Sequence, residues 1–129
     1  MSEAREQAAY VKWLRAKYPQ YAHCLRVSQS GAARGSGRQG AIRMAIVKAQ
    51  GAEPGESDML FALPRGQYHC LVIEHKKANG LHKLTETQQA YLDRHRATGA
   101  LAISTRGLGA LQAATEAYIE GGEWTTVTN

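Results

Sequence analysis

The sequence is poor in residues that staple, kink or anchor a chain. It has two cysteines, three prolines and one phenylalanine. Cys24 and Cys70 stand alone, with no CxxC, which excludes a disulfide scaffold or a zinc ribbon. His23, His69, His75, His82 and His95 show neither HExxH nor paired zinc spacing. The expectation is two reduced thiols in a cytoplasmic protein. No stretch approaches about 18 consecutive apolar residues, so no membrane helix is expected. The opening MSEAREQAAY lacks the charged-then-apolar layout of a secretory signal. No Gly-Lys-Ser/Thr follows the glycines of 31–40, which excludes a Walker A loop. Gly35, Gly37 and Gly40 do spell GxGxxG. The strand before them ends too early, and a single hairpin is too little sheet for a Rossmann domain, so no nucleotide cofactor is expected.

Charge is unevenly placed. No acidic residue lies between Glu6 and Glu53, and no basic residue follows Arg106. The acid-free segment holds Lys12, Arg15, Lys17, Arg26, Arg34, Arg38, Arg43 and Lys48, half of the 16 basic residues. The net charge is +5. Such a surface suits a polyanion such as DNA or RNA, because Lys and Arg make most phosphate contacts. A plain solvated face is the other reading. Arg34 and Arg38, set among glycines, are candidates to approach phosphates from a mobile loop.

The composition is that of a globular chain, with 43% apolar and 21% charged residues. Its 129 residues make one domain, 1–129, with a core of about 3–119 and a loose tail at 121–129. Residues 3–17 read as a helix whose inner face carries Gln7, Tyr10, Val11, Leu14 and Tyr18, with Glu6 off that face. Pro19 stops it. A short strand follows at 22–28, a glycine loop at 31–40 and a helix at 40–50. Gly51–Gly55 is a turn. Strands at 58–63 and 68–76 form a hairpin about Pro64-Arg65-Gly66. Thr85 and Gln88 form a capping box for a helix to about Thr98. A strand at 100–104 and a helix from Leu108 to about Ile119 complete the order α, β, α, β, β, α, β, α.

Two carboxylates stand out on this framework. Asp58 heads the first hairpin strand, and Glu74-His75-Lys76 ends the second. Alternation puts Glu74 and Lys76 on one face with Cys70 and Val72, and His75 on the other with Leu71 and Ile73. Neighbouring carboxylates repel, and a divalent cation resolves the repulsion. A nearby Lys can then position water or meet charge on a phosphate. A Glu-x-Lys triplet also describes a surface ion pair. Glu3 is a candidate further carboxylate at the first helix start, with Glu6 in reserve. Gln88 is either a cap residue or one facing the site.

In order, Glu3-Ala-Arg-Glu-Gln7 with Trp13-Leu14, Lys48-Ala-Gln-Gly51, Gly55-Glu-Ser-Asp58, Glu74-His-Lys76, Leu84-Thr-Glu-Thr-Gln88 and Gly99 resemble the VRR-NUC (virus-type replication–repair nuclease) domain. That domain is a branch of the PD-(D/E)XK nuclease superfamily. The resemblance runs from about Glu3 to Ile119. Ser57 departs from the usual Pro, and His75 from the usual apolar residue. The resemblance implies an α/β restriction-endonuclease-like core, a central mixed sheet flanked by helices. It implies hydrolysis of DNA phosphodiesters with Mg²⁺ or Mn²⁺, and a catalytic set of Asp58, Glu74, Lys76, Glu3 and Gln88. Asp58, Glu74, the His75 carbonyl and Glu3 would be metal ligands, and Lys76 would orient the water. Arg34, Arg38, Arg43 and Lys48 are the candidate DNA contacts. Small stand-alone members, often phage-borne, resemble homodimers that act on branched DNA such as four-way junctions, which for a phage places this chain in the host cytoplasm. The alternatives are a nuclease of flaps or linear duplex, or a DNA-binding module without catalysis.

Overall fold

The computed structural model describes residues 2–28, 37–51, 56–80 and 83–121. Helix α1 spans Glu3–Lys17 and helix α2 Gly37–Ala49, with strand β1 (Leu25–Val27) between them. Strands β2 (Met59–Phe61) and β3 (Leu71–Lys76) precede helix α3 (Glu86–Ala97). Strand β4 (Leu101–Arg106) and helix α4 (Leu108–Ile119) close the chain. The order α, β, α, β, β, α, β, α expected from the sequence is the order observed. A 3-10 turn, Ala22–Cys24, takes the first residues expected as strand.

The sheet order is β1-β2-β3-β4. The first three strands are antiparallel, while β3 and β4 run parallel in the register Glu74 opposite Ser104, His75 opposite Thr105 and Lys76 opposite Arg106. Antiparallel neighbours need only a short turn, and Arg65 and Tyr68 exchange backbone hydrogen bonds at 2.9 Å to make it. Parallel neighbours need a crossover, which α3 supplies. That helix has the expected capping box, with Thr85 accepting from the Gln88 N–H and Gln88 accepting from the Thr85 N–H.

Alternation along the strands divides the core. Met59, Phe61, Leu71, Ile73 and Ile103 face Tyr10 and Leu14 of α1 and Leu111, Ala114 and Tyr118 of α4. Tyr10 reaches Thr115 by a 2.8 Å hydroxyl hydrogen bond. Val72, Ala100 and Ala102 face Leu92 of α3 on the other side.

Two expectations need correction. Helix α2 is helical from Gly37 among the described residues, so Arg38 is helical rather than in a loop. Arg34 and the turn residues 52–55 lie outside the described residues, as does the tail beyond 121. Ile42 and Ile46 of α2 lie outside the core, 42% and 52% exposed. Glu6 is not off the inner face of α1: it is 3% exposed, one turn before Tyr10 and two before Leu14. Apolar spacing missed it because the partner that makes burial tolerable is a polar group in β3.

Candidate metal centre

Asp58 stands at the head of β2. Its backbone carbonyl accepts the Ser28 N–H at 2.8 Å, extending the β1–β2 pairing by one residue. Ser57 is buried, and its hydroxyl donates to the Met59 carbonyl at 3.2 Å, bracketing Asp58. The Asp58 side chain crosses to β3, where Oδ2 accepts the His75 N–H at 2.8 Å. The carbonyls of Cys70 and Lys76 accept N–H groups at the β4 side. Odd-numbered residues of β3 therefore turn their N–H and C=O toward β2, and the His75 carbonyl faces the edge that Asp58 occupies.

Glu74 lies on the α3 face and is 3% exposed. Its Oε1 has no hydrogen-bond partner, the sole such buried side-chain atom among the described residues. Its Oε2 lies 3.7 Å from Lys76 Nζ and 3.4 Å from Gln88 Nε2. Burial first, and then the Asp58 carboxylate, push the Glu74 carboxyl up to about 9. Glu3 pushes in the same direction and Lys76 pulls it down. A buried carboxyl oxygen without a partner, crowded by a second carboxylate, is suited to bind a divalent cation.

Gln88 serves both expected roles. Its Oε1 accepts the Thr85 N–H at 2.9 Å and the Lys76 ammonium at 3.4 Å, while its amide donates toward Glu74. The cap fixes a side chain that touches both charged residues of Glu-x-Lys. Glu3 is half-buried and close enough to act on Glu74. Among the described residues no three His, Cys, Asp or Glu side chains form a metal-holding group, so Glu3 stands as a nearby charge beside a two-carboxylate pair.

Arg38, Arg43 and Lys48 are exposed on α2, away from the carboxylate pair in sequence and element. A cleft of about 270 Å³ adjoins the head of β2, with Arg26, Ser57, Leu60 and Tyr91 among its walls.

Sequence reasoning missed one buried group. His75 Nε2 lies 2.7 Å from Glu6 Oε1, and Nδ1 lies 3.0 Å from Thr105 Oγ1. The signal was present: a histidine on the apolar side of a strand requires polar partners. Spacing alone does not name them.

No protein-family model matches the chain, and no curated protein matches it. A solved structure described as a "VRR_NUC domain protein" superposes with a TM-score of 0.76 at 21% identity, covering 100% of this chain and 97% of that one. The chain therefore shares the fold of that VRR_NUC domain protein, an α/β core with a mixed sheet flanked by helices.

Proposed function

We propose that this protein is a divalent-metal-dependent DNA endonuclease that hydrolyses phosphodiester bonds in branched DNA, four-way junctions foremost, as a homodimer. The observation that carries the reading is Glu74, a buried carboxylate with an unpartnered oxygen, set beside Asp58 and flanked by Lys76. Hard cations such as Mg²⁺ and Mn²⁺ take oxygen ligands, and Mg²⁺ commonly uses one or two carboxylates with water completing its shell. Asp58 and Glu74 would hold the ion together with the His75 carbonyl, and Glu3 would add negative charge beside them. Bound there, the ion supplies Lewis-acid polarisation of a phosphoryl oxygen and a lowered pKa for water.

The chain's own groups do the rest. Lys76, held near Gln88 and Glu74, orients the attacking water or meets charge building on the phosphate. In-line attack breaks the P–O3′ bond and leaves a 5′-phosphate. Arg38, Arg43 and Lys48 on α2, with Arg34 before it, supply phosphate contacts. Resolution of a junction needs two sites related by symmetry, which a twofold dimer provides. The exposed Ile42 and Ile46 offer apolar surface for the second copy. Free Cys24 and Cys70 suit a cytoplasmic setting.

The test is cleavage of end-labelled four-way junction, flap and linear duplex with Mg²⁺, Mn²⁺ or EDTA. Junction cutting that needs metal, and falls about 100-fold or more in Asp58→Ala and Lys76→Ala, is the expected result. Faster cutting of flap or duplex moves the target. DNA binding without cutting under either metal overturns the catalytic reading.

A further inference from the structure

Strand β3 ends in three residues that serve two faces of the sheet. Glu74 and Lys76 face α3 and the carboxylate pair. His75, between them, points into the layer beneath α1 and α4 and is 3% exposed. A buried imidazole is costly unless its nitrogens find partners. Here both do, one on Glu6 of α1 and one on Thr105 of β4. An ionised carboxylate only accepts, so against it Nε2 carries the proton toward Glu6, and in the neutral ring the Thr105 hydroxyl donates to Nδ1. Glu6 Oε2 also accepts the Ala78 N–H, at 3.1 Å, in the turn just past β3. The network thus ties α1, β3, β4 and that turn together on the far side of the sheet from Glu74.

It reaches the carboxylate pair by two routes. The peptide N–H of His75 is the donor that orients Asp58 Oδ2, and the carbonyl of the same residue faces the same edge. Fixing the His75 side chain therefore fixes the main-chain groups that address Asp58. Glu6 also lies one turn after Glu3, so pinning Glu6 sets the first turn of α1, from which Glu3 acts on Glu74. An apolar residue at position 75 would fill the same space without joining these elements.

We propose that Glu6, His75 and Thr105 are positioning residues of the metal centre, holding the end of β3 and the start of α1 in the arrangement that binds a divalent cation. The inference rests on the metal-dependent reading above. Hydrogen-bonded groups behind metal ligands typically alter metal affinity about 10- to 100-fold when removed.

The test is Mn²⁺ binding to the full chain without DNA, read from the paramagnetic resonance signal of free Mn²⁺. Circular dichroism on the same samples reports folding. Glu6→Ala and His75→Ala are expected to weaken binding about tenfold or more. The double variant is expected to match the weaker single within about threefold, because either deletion opens the same link. Glu6→Gln is expected to recover most of the affinity. Its amide accepts from Ala78 and donates to Nε2 once the ring proton moves to Nδ1. Folded alanine variants that bind Mn²⁺ as wild type does overturn the inference and leave the metal centre standing. A folded wild type that binds no Mn²⁺ overturns both. If the alanine variants do not fold, Thr105→Val keeps the shape and removes the hydroxyl. Binding weakened about threefold or more supports the positioning role, and unchanged binding overturns it.

Discussion

Glu74 makes the metal-free protein sensitive to pH in an unusual direction. Its carboxyl titrates near 9 in the folded protein, against an ordinary value of 4.5. Between these values the unfolded chain has released the proton and the folded protein still holds it. Stability therefore falls as pH rises across that window. In EDTA the melting temperature attributable to this group should drop from pH 5 to pH 9. Glu74→Gln should remove that slope and raise Tm by about 3 °C or more at pH 9, while Mn²⁺ binding is lost. An identical pH profile for wild type and variant would refute the assignment. On the proposed metal reading the ion displaces the same proton, so apparent Mn²⁺ affinity should climb with pH, up to about tenfold per unit below 9. Titration calorimetry in buffers of different ionisation enthalpy counts the proton released. The meeting of Asp58, Glu74 and Lys76 was legible in the sequence because strand alternation has a period of two and charges on an apolar strand stand out. Glu6 and Thr105 were not, because apolar spacing cannot see a polar pair that satisfies itself indoors.

The helix termini were the most legible elements, and α3 shows why. Thr85 and Gln88 are a local signal, complete within four residues, so no tertiary context is needed to read it. Thr85→Ala should cost about 1 kcal/mol in urea unfolding and leave cleavage largely intact, since the Thr85 N–H that holds Gln88 remains. Gln88→Ala should also destabilise and, in addition, lower cleavage about tenfold, because it removes the contact to Lys76 and Glu74. Equal activity in the two variants would confine Gln88 to its cap. The α3–β4 turn depends on Gly99, whose φ of +103° disfavours a side chain and whose added Cβ would lie 2.8 Å from the His69 ring. Gly99→Ala should destabilise by about 1–3 kcal/mol, measured by denaturant titration. The start of α2 was less legible. Gly37 weakens a helix relative to alanine and reads as loop, yet Gly37–Ala49 is helical.

At the scale of the molecule, the sequence announced the charge asymmetry and the order of elements but not where α2 lies relative to the core. Amphipathic spacing says that a helix has an apolar side, not what covers it. Ile42 and Ile46 remain exposed in the single chain. Sedimentation should give the mass of a dimer, and Ile42→Asp with Ile46→Asp should shift it to monomer and depress junction cutting. A wild type that sediments as a monomer refutes the homodimer.

The sheet also sorts consecutive residues of β3 into incompatible surroundings. A slip of one position would drive Glu74 and Lys76 into the layer of Tyr10, Phe61 and Ile103 and bring His75 out beside Asp58. Such a chain would lose its packing and its chemistry in the same event. The charges of Glu74 and Lys76 thereby proofread the strand pairing. Strand register and the meeting of Asp58 with Glu74 therefore stand or fall together.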